Sequence, residues 1–369
     1  MIPANSSAPR ILEIGQVPRM HHAYPRTTTF FSTYVMDSAR SKPPGSTLVS
    51  AMTMAPLARC LSDPELDMVV VHASPHGLVE GLVRTIFRRS ALRGHFPLFR
   101  GFAQQLIRLP TSAPVAVLDL HDTSSIPPCN RHLLRKATLY FKRELPPDRW
   151  QLLMNGGKTP TLRYRRNAGT LSALARVRPL SLGLPERMLA CGVPAAPAMG
   201  KDIDVFFAGQ LKGSSTVRER GIEELIALRR EGFRIEIQDG SLSPTEYLAR
   251  CARAWLVWAP QGYGWDCFRS YEAAFAGSVP LISQHTIERH EPLADNEHAV
   301  YYNVEPGQLA LTVRRALNDR DRLLTMAQAA REQVLRHHTP QALARHVVKT
   351  TLAAVRRSGP AGQPDTPGG

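Results

Sequence analysis

Residues 254–283, AWLVWAPQGYGWDCFRSYEAAFAGSVPLIS, constrain the fold more than any other stretch of this 369-residue chain. Ala254–Ala259 is a short apolar run rich in Trp, Leu and Val that Pro260 ends, which predicts a buried strand. Gln261–Cys267 carries Gly262, Tyr263, Gly264, Trp265 and Asp266, a loop whose backbone can come close to a ligand. Phe268–Ala276 fits one short helix, and Gly277 suits the left-handed position just past its end. Val279–Ile282 starts a second buried strand. In an open α/β sheet, ligands sit where loops leave the carboxyl ends of strands, against helix N-termini. The first turn of this helix offers unpaired N–H groups and a positive dipole end, and Arg269 adds a fixed cation, a combination suited to phosphate or diphosphate. Glu272, three residues on, is poorly suited to phosphate but well suited to accept two hydrogen bonds from a ribose diol.

The rest of the chain repeats strand and helix. Arg10–Gly15, Asp67–His72, Pro114–Asp122 and Leu139–Leu145 read as strands, with helices expected over Thr47–Leu61 and Leu78–Arg89. Asp204–Gly209, Phe233–Gln238 and His298–Val304 continue the strands, and Gln308–Asp319, Arg320–His338 and Pro340 to about Arg357 read as amphipathic helices. Ser243-Pro-Thr-Glu246 opens a helix with a capping box and Pro at the first position. Alternation twice over predicts an α/β chain of two Rossmann-like doubly wound domains facing a cleft. The division expected is 1–185, 186–340, a last helix over 341–357 and a disordered tail over 358–369.

Further candidates lie at other strand ends. Gly209–Ser215, GQLKGSS, leads into a helix opened by Arg218, so Gly209, Lys212 and Arg218 form a second phosphate-contact group; the two cations read equally well as solvated surface charges. Asp119 and His121 share a strand face at the tip of Pro114–Asp122, where a His beside carboxylates would serve as general base for a hydroxyl; local turn formation by Asp122-Thr-Ser-Ser is the competing reading. Arg143–Glu144 is either a cleft element or an ion-paired strand end, and His21 and His22 belong to the surface or an acceptor cleft. Asp202 and Asp204 spell DxD, but ahead of a strand, where the carboxylates face away from a cleft; no metal site is expected.

Hydrophobic residues make up 43% and charged residues 21%, which excludes a disordered chain. The net charge of +15 points to an anionic partner, although scattered arginines fit an Arg-rich composition as well. Five cysteines, with no CxxC or metal-ligand spacing, exclude a disulfide framework, and Cys267 is expected to pack. The first residues lack a signal-peptide pattern and no apolar run approaches the ~20 residues that span a bilayer, so a cytoplasmic protein is expected, resting at most on the inner face of an anionic membrane.

The order R-S-Y-E-A-A-F-A-G-S-V-P-L-I resembles the nucleotide-sugar-binding segment of GT-B glycosyltransferases, in particular the group-1, CgeB-like and exostosin-like branches. There a Gly-rich loop leads into R-x-x-E-A-x-x-x-G-x-V-P, matched here by Gly262, Gly264, Asp266, Arg269, Glu272, Ala273, Gly277 and Pro280. The resemblance implies that Glu272 holds the ribose and Arg269 faces the diphosphate; Gly209, Lys212, Arg218, Gly262, Tyr263, Gly264 and Asp266 are the further donor-site candidates beside them. It implies sugar transfer from a UDP- or GDP-linked donor to a glycan, lipid or other hydroxyl acceptor, with no cofactor and no metal; nucleic acid is not an expected partner. Many retaining members carry a Glu eight residues before the ribose Glu, and Gly264 stands there instead, which leaves the donor-sugar contact and the stereochemical outcome open. Two other readings use the same fold: a non-catalytic basic protein that binds polyanions, and a nucleotide-sugar epimerase.

Overall fold

The structure, a computed structural model, describes residues 8–33, 45–74, 111–154, 168–194, 200–211, 213 and 215–358. Seven strands form the first sheet: β1 (Ile11–Gly15), β2 (Thr28–Ser32), β3 (Thr47–Leu48), β4 (Met68–His72), β5 (Val115–Asp119), β6 (Leu139–Lys142) and β7 (Val177–Pro179). Their order is β3-β2-β1-β4-β5-β6-β7, every pair parallel. The second sheet holds β8 (Ile203–Gly209), β9 (Ile235–Asp239), β10 (Ala254–Ala259), β11 (Val279–Ser283) and β12 (Val300–Tyr302), in the order β12-β11-β10-β8-β9, again all parallel. Around them lie helices α1 (Met54–Leu61), α2 (Arg131–Lys136), α3 (Ala168–Ala175), α4 (Glu186–Ala190), α5 (Thr216–Arg230), α6 (Pro244–Arg253), α7 (Phe268–Phe275), α8 (Gln308–Leu317), α9 (Arg320–His337) and α10 (Pro340–Ser358).

Burial explains why the strand sequences are continuously apolar. Val69, Val71, Val115 and Val117 pack with α1 and α2 on one face of the first sheet, while Met68, Val70, Ala116 and Leu118 face the other way. That second face is covered by Leu343, Ala344, Val347 and Val348 of α10, so the end of the chain closes the core of its beginning. Local signals hold where the chemistry is local. Ser243 Oγ accepts from Glu246 N–H at the start of α6, and Gly277, just past α7, has φ 83°.

Three short strands depart from the sequence reading. Thr47–Leu48 is not helical: it pairs with Phe31 and Ser32, and Thr53 Oγ1 accepts from Ser50 N–H to start the turn that becomes α1. Thr28–Ser32, which the sequence pattern leaves unassigned, and Val177–Pro179, which reads as a connection into the second domain, also join the sheet. The helix expected over Leu78–Arg89 and the tail beyond Ser358 lie outside the described residues.

In the first sheet the strand order reverses between β1 and β4, and in the second between β8 and β10, so each sheet has one crevice beyond those strand ends. The domains are seamed by the segment after β7 and by the turn between α9 and α10. A Cβ on Gly183 (φ 67°) would sit 2.5 Å from the His338 carbonyl oxygen, which accepts from Leu184 N–H at 2.8 Å. His338 Nε2 lies 2.7 Å from the Glu291 carbonyl and must donate to it, leaving Nδ1 to accept from Ser181 Oγ at 2.9 Å. Beside it His290 stacks on His346 at 3.8 Å.

Burial lowers the pKa of His338 from 6.5 to about 4 and, with the neighbouring imidazoles, that of His290 to about 3. The folded protein thus binds fewer protons than the unfolded chain, and stability is complete above about pH 6.5 and lost as pH falls toward 4. Thermal unfolding followed from pH 7 to pH 4.5 should show this fall, up to about 1.4 kcal/mol per pH unit for each histidine. His338→Gln, less stable at pH 7, should fall less steeply; parallel curves would exclude this histidine as the source.

Candidate functional site

The site lies where the β8–β10 crevice opens toward the first domain. Strand β8 ends on Gly209, whose φ of 152° is a region side-chain-bearing residues rarely occupy and where a Cβ would lie 3.1 Å from Arg269 Nη2. Across the crevice, a Cβ on Gly262 would lie 3.4 Å from Arg218 Nη2. Arg218, from the first turn of α5, donates to the Gln210 carbonyl at 3.2 Å, and Arg269, from the first turn of α7, reaches Cys267 Sγ at 3.5 Å. Both guanidiniums lie over the buried Phe207 ring, at 6.0 and 4.9 Å from its centroid. Neither makes an ion pair with a carboxylate among the described residues, and Arg218 Nε is buried without a hydrogen-bond partner. Burial lowers the Arg218 pKa and the charge of Arg269 lowers it further. A buried cation beside a partly buried one of like charge is costly unless an anion joins them.

The N-terminus of α7 has no side-chain cap; Ser270 N–H bonds the Cys267 carbonyl at 3.2 Å, and the N–H groups of Phe268 and Arg269 precede it at the helix start. Glu272 lies on the next turn, only 6% exposed. Burial raises its pKa against the opposing charges of Arg269 and Arg187, and Arg187 Nη2 of α4 stands 3.8 Å from its carboxylate. Arg187 was not among the expected site residues; nothing in its local pattern marks it, since only the chain crossing brings α4 to α7. Tyr263 is 79% exposed at the loop tip. It borders a cleft of about 280 Å³ with Gln261 and Trp265 of the second domain and Asp122, Glu144 and Gln151 of the first. Lys212 lies outside the described residues.

Asp266 has a different place from the ligand contact its loop position predicts. Its carboxylate accepts from Leu182 N–H and from Tyr271 Oη, each at 2.7 Å, with Arg289 Nε 3.9 Å away. With both oxygens taken in the interior, it organises the loop. The Arg143–Glu144 pair proves to be a cleft element. Arg143 bonds Asp122 and the Asp266 carbonyl, while the Glu144 carboxylate accepts from Trp265 N–H at 2.9 Å and Asp266 N–H at 3.0 Å. Arg149 grips Glu288 through two bonds of 2.9 and 2.7 Å, and Glu288 N–H donates to the Leu145 carbonyl.

Strand β5 ends at Asp119, so Asp119 and His121 do not share a strand face: His121 lies in the loop and turns back on its neighbour. Asp119 is fully buried, with Tyr140 Oη at 2.7 Å, Lys142 Nζ at 3.2 Å and His121 Nδ1 at 3.0 Å. Burial acts to raise its pKa, but Lys142, His121 and Tyr140 outweigh it and hold the carboxylate well below its usual range. An ionised Asp119 favours the proton on Nδ1 of His121 and leaves Nε2 as the basic nitrogen. Asp119 therefore orients His121 and is itself closed to a substrate. In the first-domain crevice, Glu13 accepts from Arg19 N–H, Met20 N–H and His72 Nε2 at 2.8 to 3.0 Å, and His22 of the following turn meets Glu186 at 3.3 Å. At the opposite end of β8, Asp202 pairs with Arg253 and Asp204 with Arg234 and Arg320.

Residues 241–349, which contain the Gly-rich loop and α7, match the family model described as glycosyl transferase-like. The whole chain is similar in structure to an alpha-glucosyltransferase in complex with UDP, at 10% identity and a TM-score of 0.54, covering 93% of this chain and 100% of that one. It is similar to α,α-trehalose 6-phosphate synthase from Burkholderia multivorans at 11% identity and a TM-score of 0.54, covering 96% and 100%. Sucrose-phosphate synthase from Thermosynechococcus elongatus stands at 14% identity and a TM-score of 0.53, covering 94% and 100%. No curated protein sequence matches the chain. The architecture is thus the two-domain GT-B fold, and the segment that matches a glycosyl transferase-like family is the one that carries Arg269 and Glu272.

Asp266→Ala should lower unfolding free energy by about 3–5 kcal/mol, because Leu182 N–H, Tyr271 Oη and Arg289 lose a buried partner together. Tyr263→Ala should stay within about 0.5 kcal/mol of the parent. Urea titrations of both variants check this contrast.

Proposed function

We propose that the protein is a glycosyltransferase that moves a sugar from a UDP- or GDP-linked donor to a hydroxyl of a glycan or lipid acceptor, without a metal ion. The observation that carries the proposal is a pair of guanidiniums, the buried Arg218 and the partly buried Arg269, which meet at the β8–β10 crevice over Phe207 with no ion-paired carboxylate among the described residues. A diphosphate there joins two cations and the open helix start. Glu272, buried and one turn further, would accept from the ribose hydroxyls. The bound UDP of one similar structure supports UDP as the first nucleotide to try.

As the sugar–phosphate bond breaks, negative charge grows on the diphosphate leaving group. Arg218, Arg269 and the helix N–H groups would stabilise it, at roughly 3 kcal/mol for one well-placed donor. Lys212 would join them from the loop after β8. His121 Nε2 is the candidate base for the acceptor hydroxyl, with Asp119 as the group that orients it. Cytoplasmic placement with peripheral contact on an anionic membrane goes with this reading. Arg345, Lys349, Arg356 and Arg357 are exposed along α10, which contains no Asp or Glu, and among the described residues no helix is long and apolar enough to cross a membrane.

Arg218→Ala, Arg269→Ala and Glu272→Ala should each keep the parent's melting temperature within a few degrees and weaken UDP or GDP binding at least about tenfold, one lost charge-assisted bond each. Calorimetric titration reads this, and unchanged affinity in all three would remove the site. Transfer measured with excess EDTA should match transfer without it. A strict need for Mn²⁺ or Mg²⁺ would reject the metal-free scheme.

A further inference from the structure

Gly264 has no room for a side chain because a residue of the other domain fills the space. A Cβ on Gly264 would sit 2.5 Å from Glu144 Oε1, 2.9 Å from the carboxylate carbon and 3.2 Å from Arg143 Nη2. The two oxygens of Glu144 take the N–H groups of consecutive loop residues, Trp265 at 2.9 Å and Asp266 at 3.0 Å. Two successive amides turned onto one anion form a concavity suited to negative charge. Here the occupant comes from 121 and 122 residues earlier in the chain.

The neighbours of Glu144 make the contact directional. Arg143 N–H is tied to the Asp119 carbonyl at 2.9 Å, which anchors this stretch to the end of β5. The Arg143 side chain then crosses to the Asp266 carbonyl, and Arg143 Nε lies 3.3 Å from Glu144 Oε1. The Leu145 carbonyl accepts from Glu288 N–H at 2.8 Å. Three consecutive residues of the first domain therefore each bond to the second, and two of them bond to the Gln261–Cys267 loop. The second domain and the crossing segment supply the loop's remaining contacts: Gly262 N–H reaches the Gly264 carbonyl at 3.1 Å, Gln261 N–H donates to Ser283 Oγ at 3.1 Å, Arg289 donates to the Trp265 carbonyl at 2.9 Å, and the Asp266 carboxylate accepts from Leu182 N–H and Tyr271 Oη at 2.7 Å.

We propose that Glu144 is a positioning residue for the donor site, and that the Gly-rich loop takes its ligand-binding shape only where the first domain supplies this carboxylate. Gly264 is a glycine because Glu144 occupies the volume its side chain would need. The loop ends on Cys267, and the next residue but one is Arg269, so its course fixes the start of α7 and the aim of the guanidinium. Donor affinity is then linked to the contact between the domains, since a site formed only in a fraction of molecules binds more weakly by that fraction. This rests on the glycosyltransferase reading only where nucleotide or transfer is measured; the shaping of the loop does not.

The test has a ligand-free arm and a ligand arm. Without nucleotide, hydrogen–deuterium exchange across residues 261–267 should quicken in Glu144→Ala and less so in Glu144→Gln, which keeps one acceptor oxygen. With UDP, Glu144→Ala and Gly264→Ala should each raise Kd by ~10-fold through the lost population of formed loop. The double variant should be no more than about threefold weaker than the weaker single one, because removing the Glu144 carboxylate frees the space that the methyl group added at Gly264 needs. Where transfer is measured, KM should rise more than kcat falls. Unchanged exchange in Glu144→Ala, or strictly multiplicative effects of the two substitutions, overturns the proposal. A parent protein that binds no nucleotide while exchange still responds to Glu144 would retain the loop contact and reject the donor reading. If Glu144→Ala does not fold, Glu144→Gln and Gly264→Ala carry the same exchange measurement.

Discussion

Everything at the site depends on how one carboxylate, Asp266, is satisfied. It lies in the loop that the sequence marks for a ligand, yet it is almost fully buried and its oxygens are claimed by the crossing segment through Leu182 and by α7 through Tyr271. Its main chain is claimed by the first domain through Arg143 and Glu144. One residue thus joins the helix that aims Arg269, the segment that links the domains, and the wall of the opposite domain. An unpaired carboxylate at that depth would cost several kcal/mol, so the three parts hold their positions together or not at all.

Topology then decides where a ligand goes. Each sheet has a single reversal of strand order, and the second places the ends of β8 and β10 side by side. Glycines at both ends, Gly209 and Gly262, let two guanidiniums lie against bare backbone. Their charges are partly offset by the face of Phe207, a weak interaction of order 1 kcal/mol per contact. That is too little to balance two desolvated cations, and the remaining deficit is what an anionic ligand would supply.

What could be read from the sequence was what is encoded within a few residues. The Ser243 cap, the left-handed Gly277, the runs of β4 and β10 and the three-residue spacing of Arg269 and Glu272 are all local, and each falls where local rules place it. What escaped was carried by distant pairing. Thr47–Leu48 is a strand only because β2 lies beside it. Glu144 reaches the second domain from the first, Arg187 comes from the helix just after the crossing segment, and no spacing rule connects them to Gly264 or Glu272. Asp266 misleads for the same reason: an acid in a Gly-rich loop looks like a ligand contact until the partner 84 residues away is seen.

The distribution of charge pairing separates two kinds of ionisable residue in this strongly basic chain. Asp119 is bound to Lys142 and His121, Asp202 to Arg253, Asp204 to Arg234 and Arg320, and Glu231 to Arg314; these pairs brace strand ends and helices. Most are partly exposed and worth little individually. Arg218 and Arg269 differ in kind, because they are adjacent, the first buried and the second partly so, and neither forms an ion pair with a carboxylate among the described residues, although the charge of Glu272 favours the Arg269 cation from further off. A net charge of +15 alone says only that anions are attracted from solution. Where an anion would be held follows instead from cations that folding brings together without an ion-paired carboxylate, and Arg218 and Arg269 lie at the strand reversal between β8 and β10 beside a helix start.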